Sequence, residues 1–313
     1  MSLDIVAFGE PMIEFNQTAA GDRRYLQGFG GDTSNFAVAA ARQGARAGVM
    51  TALGDDAHGR MLRELWHAEG VDARLVLTDP TAPTGVYFVS HGPTGHEFSF
   101  ARAGSAASRY RVADLDAEAL GAVRCLHLSG ISLAISATAC DAAHAAIAAV
   151  KAAGHLVSFD TNLRLKLWPR DRARATILDA MGLADICLPS LDDVTALTGA
   201  TDPDAIVDDA LGRGARVVAL KLGARGALVA SAEARHRIPP FPVRAVDATG
   251  AGDTFGGAFV ARMLTGDTLL DAGRYAAVAA ALATRGYGAV EPIPAASQVV
   301  AALADWTDHT EAP

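Results

Sequence analysis

Short apolar runs alternate with longer alanine-rich segments of helical spacing from Val123 onward, and this alternation limits the fold more than any other feature. Strands are predicted at 125–128, 156–160, 186–188, 217–221 and 227–230. Helices are predicted over 137–153, 171–182, 191–198, 203–213, 254–264, 269–284 and 297–306. Upstream, 5–8 and 47–53 read as strands, and 35–43 and 59–69 as helices stopped by Gly44 and Gly70. Strands that alternate with helices pair in parallel beneath helices on both faces. The expected fold class is therefore α/β, a doubly wound, mostly parallel sheet with ligands at the strands' carboxyl ends. The segment 84–102 breaks this pattern. Val86, Phe88 and Ser90, then His96, Phe98 and Phe100, alternate about a Gly92-Pro93-Thr94-Gly95 turn. That is a hairpin signal, and it predicts a small β element standing off the main sheet, with Phe15 and Tyr25 as accessory strand residues. The tail beyond Trp306 is expected to fray.

Charge and cysteine content remove several function classes. Lys+Arg is 27 and Asp+Glu 35, a net charge of −8 with no basic stripe, which argues against nucleic acid as a partner. Only Lys151, Lys166 and Lys221 are lysines. Recognition of anions thus falls mainly to arginine, whose planar fork matches carboxylates and phosphates. Cys125, Cys140 and Cys187 form no CxxC pair, which excludes a disulfide framework and a zinc ribbon. No histidines show the spacing of a metal site; His127, in a predicted strand, reads as packed or hydrogen-bonded. The first residues lack the basic stretch of a signal peptide, and no apolar run reaches the roughly 18 residues of a membrane helix. A cytoplasmic protein without a membrane partner is expected.

The stretch that carries chemistry is Asp247-Ala248-Thr249-Gly250-Ala251-Gly252-Asp253, between a predicted strand at 241–246 and an apolar helix. Small residues let the backbone bend tightly and approach a ligand. The helix N-terminus that follows offers unpaired N–H groups and a positive dipole end, a hole for phosphate oxygens. Asp253, at the predicted helix start, serves either as a cap or as a base for a substrate hydroxyl.

This string resembles the C-terminal signature of the ribokinase-like (PfkB) carbohydrate kinases. Gly30-Gly31-Asp32-Thr33-Ser34-Asn35 resembles that family's N-terminal Gly-Gly-x-x-x-Asn motif, and Leu53-Gly54-Asp55-Asp56 with Gly59 its next block. The resemblance implies one kinase domain over 1–313, with a β lid contributed by about 11–30 and 82–110. It implies ATP and Mg²⁺, Asp253 as catalytic base, and Gly250, Ala251 and Gly252 as the anion hole. Homo-oligomers through the lid's open edge are expected.

Within the family, Gly9-Glu10-Pro11-Met12, Thr84-Gly85-Val86-Tyr87-Phe88, Phe98-Ser99-Phe100-Ala101-Arg102 and Asp160-Thr161-Asn162-Leu163-Arg164 resemble the 2-keto-3-deoxygluconate kinases. Their substrate is a keto-deoxy sugar acid phosphorylated on its terminal hydroxyl. By this resemblance Gly31, Asn35, Tyr87, Arg102, Arg164 and Asp253 contact the sugar acid. Arg102 and Arg164 suit its carboxylate, whereas a neutral ketose leaves such charges less well paired. Ser190, Lys221, Gly223 and Gly226 fall at nucleotide positions, with Gly250 and Gly252; Gly223 and Gly226 equally suit a plain hairpin turn. Asp193 stands where many relatives carry a Glu that helps organise Mg²⁺, so the metal ligands are left unassigned. Ala101 and Tyr275 depart from the pattern, at positions where relatives often have an aromatic residue and an adenine-side Asn. A fructokinase or other neutral-sugar kinase is the nearest alternative, and a non-catalytic sugar-acid-binding protein the alternative of another class. A nicotinamide dehydrogenase lacks its glycine fingerprint here, since Gly9 runs into Glu10-Pro11, and no Gly-Lys-[Ser/Thr] of a P-loop occurs.

Overall fold

The structure, a computed structural model, describes residues 2–92 and 95–306. Pro93 and Thr94 of the predicted turn, and the tail beyond Trp306, lie outside the described residues. The strands in chain order are β1 (Ile5–Phe8), β2 (Met12–Gln17), β3 (Tyr25–Gly30), β4 (Ala47–Gly54), β5 (Asp72–Asp79), β6 (Gly85–Gly92), β7 (Gly95–Ala101), β8 (Cys125–Ser129), β9 (Leu156–Asp160), β10 (Ile186–Leu188), β11 (Val217–Lys221), β12 (Ala227–Ser231) and β13 (Arg235–Ile238).

Nine strands form the main sheet in the order β13-β12-β11-β10-β9-β8-β1-β4-β5. Pairing is parallel from β5 through β11 and antiparallel for β11–β12 and β12–β13. Alternate residues feed opposite cores: Val6 and Phe8 of β1 point into one cluster, Ile5 and Ala7 into the other. Burial on both faces is why these strands read as continuous apolar runs. The chain leaves β1 for β4 and β5, then returns to β8 on the other side of β1. That reversal opens a crevice above the strands' carboxyl ends.

The second sheet has the order β3-β2-β6-β7. Two antiparallel hairpins, β2–β3 and β6–β7, join through parallel pairing of β2 with β6. Its register sets Glu14 opposite Tyr87, and Tyr87 opposite Phe100. One face carries Phe15, which meets His58 of the helix Ala57–Ala68 and stacks on Phe88. The other face carries Glu14, Tyr87, Phe98 and Phe100.

Four segments differ from the sequence reading. Residues 241–246 form no strand, because Pro239, Pro240 and Pro242 withdraw the donors a ladder needs. The edge strands β5 and β13, missed in the sequence, are partly exposed and charged rather than uniformly apolar. The helix that follows the glycine loop begins at Ala251, earlier than expected, and runs Ala251–Thr265.

This helix packs closely on the helix Asp32–Arg42. A Cβ placed on Gly257 would fall 2.5 Å from the carbonyl oxygen of Phe36 and 2.8 Å from Cβ of Ala39. The absence of a side chain there sets the helix separation, and the separation sets the distance between groups one turn nearer the crevice. Gly257→Ala is expected to destabilise the protein by about 1–3 kcal/mol through overpacking. Urea unfolding checks this, and an unmoved midpoint contradicts it.

Candidate active site

The helix Ala251–Thr265 opens with Gly250 in the left-handed region, φ +74°. A Cβ at Gly250 would lie 2.8 Å from the carbonyl oxygen of Ala289, so glycine is required there on both counts. Asp247 holds the loop. Its Oδ1 accepts from the Thr249 N–H at 2.9 Å and from Thr249 Oγ1 at 2.6 Å. Its Oδ2 accepts from the Gly288 N–H at 3.0 Å. No side chain caps the helix. The Ala251 amide turns back to the carbonyl of Ala248 at 3.2 Å. Among the described residues, the amides of Gly252 and Asp253 take no partner. Of the residues expected to form the anion hole, Gly250 and Gly252 keep unpartnered amides among the described residues, as Asp253 does, whereas the Ala251 amide is already engaged.

Asp253 is the third residue of the helix and does not act as its cap. Its Oδ2 instead accepts from Asn35 Nδ2 at 2.8 Å. Asn35 is buried in the first turns of the helix Asp32–Arg42, whose N-cap is Gly31 at φ +97°. A Cβ on Gly31 would collide with the carbonyl oxygen of Glu10 at 2.4 Å. Asn35 Oδ1 is buried with no hydrogen-bond partner among the described residues. Burial pushes the Asp253 carboxyl up to about 8, and the charges of Asp32 and Asp160 add to the effect, against the Asn35 hydrogen bond and Lys221.

The carboxyl ends of β9, β10 and β11 supply the floor. Asp160 ends β9 and pairs with Lys221 at the end of β11. The Asn162 N–H donates to Asp160 Oδ1 at 3.1 Å, and Asn162 Nδ2 donates to Asp32 Oδ2 at 3.0 Å. Asn162 adopts φ +27°, a left-handed backbone that non-glycine residues hold only when their surroundings require it. Ser190 caps the helix Leu191–Thr198 by accepting from the Asp193 N–H at 3.2 Å. Asp193 Oδ2 accepts from Thr161 Oγ1 at 2.9 Å. Lys221 and Ser190 are bridged at their backbones. Gly252 lies beside Lys221: a Cβ on this glycine would stand 3.6 Å from the Lys221 Nζ.

The lid face supplies the remaining groups. Tyr87 is buried and its hydroxyl donates to Glu14 Oε2. Burial raises the Glu14 carboxyl above its ordinary range. Arg102, just beyond β7, forms an ion pair with Glu10 just beyond β1; Ser105 Oγ donates to Glu10 Oε1. Arg102, expected to suit a substrate carboxylate, is thus already faced by a carboxylate of the protein. Arg164 is exposed, and its guanidinium reaches only the carbonyl of Leu163, at 2.8 Å. Lys166, two residues on, reaches back to the carbonyl of Phe98 in β7 at 3.4 Å.

Gly223 and Gly226 form the tight turn joining antiparallel β11 to β12, through the 3₁₀ turn Gly223–Arg225. A Cβ on Gly226 would overlap the carbonyl oxygen of Ile238 at 2.0 Å, which accounts for that glycine by packing alone. Tyr275 is buried and donates to Gln43 Oε1 at 2.8 Å, so its hydroxyl is fixed between helices. His127 stacks on Phe36 at 3.4 Å and meets Ser158, and burial holds it neutral. No group of three or more metal-ligating side chains occurs among the described residues. Asp193 is a lone, partly buried carboxylate. This donor set fits a hydrated divalent ion that takes most of its oxygens from phosphates and water.

Glu10, Asp32 and Asp160 have no role in the sequence reading. Each lies at or just beyond a strand end or helix start, a position that open α/β sheets turn toward their crevice. A buried acid there is the signal, but its partners come from segments far away in the chain.

A carboxylate with a raised proton affinity, two open helix amides beside it and an amide acceptor opposite it make a site for transfer of a phosphoryl group to a hydroxyl. The chain is a sugar kinase, and it belongs to the pfkB family of carbohydrate kinases, whose pattern it matches over residues 2–296. It is 36% identical over 273 residues to a 2-dehydro-3-deoxygluconokinase of Thermoproteus tenax, covering 84% of this chain and 83% of the relative. It is 33% identical over 315 residues to fructokinase-1 of Zea mays, covering 95% and 96%. The fructokinase of Vibrio cholerae O395, solved with fructose, ADP and calcium ion, superposes with a TM-score of 0.86 at 30% identity, over 97% of this chain and all of that one.

Since the native state holds the Asp253 proton more tightly than an unfolded chain, its ionisation costs stability as pH rises from about 4 towards about 8. Asp253→Asn removes that cost. The variant is expected to gain stability over the wild type, and the gain should grow between about pH 5 and about pH 8. Thermal unfolding at the two pH values measures it, and a pH-independent offset contradicts it.

Proposed function

We propose that the protein transfers the γ-phosphoryl group of ATP to the terminal hydroxyl of a keto-deoxy sugar acid of the 2-keto-3-deoxygluconate type, with Asp253 as general base. The observation that carries this reading is the contact between Asn35 and Asp253 beside the open amides of Gly252 and Asp253. The substrate hydroxyl attacks phosphorus in line while Asp253 takes its proton, and ADP departs with the electrons of the broken P–O bond. Gly252 and Asp253 donate backbone hydrogen bonds to phosphoryl oxygens, where negative charge gathers. Asn35 Oδ1 accepts from a neighbouring substrate hydroxyl, and Gly31 lets the sugar approach the backbone closely. Tyr87 forms part of the lid wall. Arg164 faces the substrate carboxylate. Lys221 and Ser190 border the nucleotide side, with Gly223 and Gly226 shaping the turn beside it. Asp193 is the carboxylate that would help hold Mg²⁺, which when bound with the nucleotide would supply charge shielding for the phosphoryl oxygens. The cytoplasm, where ATP and reduced cysteines coexist, is the compartment that suits these parts.

A fructokinase is the second reading, favoured by one observation. Arg102 is already paired with Glu10, so half of the expected carboxylate receptor is compensated. ADP release measured over a panel of 2-keto-3-deoxygluconate, its galactonate epimer, fructose, ribose and adenosine separates the readings. Turnover with none of them, accompanied by tight binding of the acid, would favour a binding protein. In the preferred substrate Asp253→Asn is expected to retain the fold and lose about 10²–10⁴-fold in turnover; near-normal turnover refutes the assignment of the base.

The lid also supports association of two chains. Leu26 is 66% exposed and Phe100 43% exposed, large apolar groups at the outer strands of the small sheet. Pairing of lids would remove both from water and cover the open edges β3 and β7. Light scattering should give a dimer or larger assembly at micromolar concentration. A monomer there excludes the lid contact.

A further inference from the structure

The segment 285–294 joins the helix Leu269–Ala283 to the helix Ala296–Asp305 and forms neither helix nor strand. Backbone groups in such a segment need partners from elsewhere. It meets the glycine loop closely. The Gly288 N–H donates to Asp247 Oδ2 at 3.0 Å, and a Cβ on Gly250 would stand 2.8 Å from the carbonyl oxygen of Ala289 and 3.0 Å from its Cα. Just before the segment, the carbonyl of Thr284 accepts from the N–H groups of Val246 and Asp247 at 2.7 and 3.1 Å. The C-terminal end of the helix Asp32–Arg42 holds the same segment. Arg42 Nη1 donates towards three of its carbonyls, those of Val290 at 3.2 Å, Glu291 at 3.4 Å and Ile293. Gln43 Nε2 donates to the carbonyl of Pro294 at 2.8 Å. The rest of the guanidinium forms a fork on Glu69, from Nε to Oε2 at 2.8 Å and from Nη2 to Oε1 at 2.7 Å. The two side chains are 21% and 20% exposed, and the fork holds the Glu69 carboxyl below its ordinary range.

We infer that Arg42, anchored by Glu69, is a positioning residue for phosphoryl transfer: it clamps the segment 285–294 against the glycine loop and so fixes the open amides that receive the nucleotide's phosphates. The inference rests on the kinase reading above and deepens its nucleotide side. The contacts run from Glu69 through Arg42 to the carbonyls of Val290, Glu291 and Ile293, and from Gly288 and Ala289 to Asp247 and Gly250. Backbone donors serve an anion best when their directions are set before it arrives. Gly250 has a left-handed backbone and no side chain to pin it, so its conformation is set by what lies against it. A planar guanidinium can serve a carboxylate on one edge and a row of carbonyls on another. A lysine, with one ammonium, holds only part of that set. Asn35 lies about two turns earlier on the helix that ends at Arg42 and meets Asp253 directly. That contact does not pass through the segment 285–294, so loss of the clamp leaves the sugar side in place.

The test titrates the non-hydrolysable ATP analogue AMP-PNP with Mg²⁺, and separately 2-keto-3-deoxygluconate and fructose, into the full-length wild type and its variants by calorimetry, beside thermal unfolding of each. Arg42→Ala should weaken AMP-PNP about ten-fold or more and leave affinity for the sugars within about three-fold. Arg42→Lys and Glu69→Gln, which keep part of the clamp, should weaken AMP-PNP by about three-fold. Asp267→Ala serves as the control: it removes a partly buried ion pair with Arg262, at the far end of the helix Ala251–Thr265, and should bind AMP-PNP as the wild type does. In steady-state ADP release, Arg42→Ala should raise KM for ATP and lower kcat, with KM for the sugar unchanged. An Arg42→Ala protein that melts earlier yet binds AMP-PNP like the wild type overturns the inference, because the clamp is then structural alone. A loss of sugar affinity as large as the loss for AMP-PNP overturns it too, as does an equal loss in Asp267→Ala. Should Arg42→Ala fold poorly, Arg42→Lys and Glu69→Gln decide by the same comparison. A wild type that takes up no AMP-PNP overturns the kinase reading and the clamp together, whereas variants that match a binding wild type overturn the clamp alone.

Discussion

The hydrogen bond from Asn35 to Asp253 is the constraint on which the rest of the site depends. It joins residues 218 apart in the chain, on two helices that both begin at the crevice. Neither helix could bring its end there without the close contact at Gly257, and neither could begin as it does without a left-handed glycine, Gly31 in one and Gly250 in the other. Packing of backbone on backbone is thus converted into placement of an acid. The helix dipole and the open amides then favour negative charge at the same spot.

That placement sets a tension within the site. Burial and the neighbouring acids resist ionisation of Asp253, while its proposed role as a base requires it. One cation and one donor offset this, Lys221 from the floor and Asn35 directly on the carboxylate. The lid repeats the pattern with Glu10 and Glu14, two buried acids matched to Arg102 and Tyr87. Such groups are costly to bury without partners, so the small sheet is tied to the main one by polar contacts as well as by packing.

Much of the main sheet was legible because its strands are buried on both faces and leave unbroken apolar runs. β5 and β13 escaped notice because an edge strand mixes charge with burial, and 241–246 deceived because its apolar run follows Pro239 and Pro240 and is interrupted by Pro242. The glycine loop was legible as a tight bend leading into a helix, since small residues before an apolar helix have few other reasons to cluster. Which of its amides remain open was not, because the turn of Ala251 onto Ala248 depends on loop geometry. Arg102 shows the limit most clearly. Its charge is visible in the sequence, but its partner Glu10 lies 92 positions away and meets it only after the two sheets come together.

The most direct test is a crystal structure of the protein with a non-hydrolysable ATP analogue and the preferred sugar bound together. The geometry of the site predicts the sugar's terminal hydroxyl within about 3 Å of an Asp253 carboxylate oxygen, with the γ-phosphoryl oxygens against the amides of Gly252 and Asp253. A hydroxyl directed elsewhere, or phosphates seated away from that helix end, would contradict it.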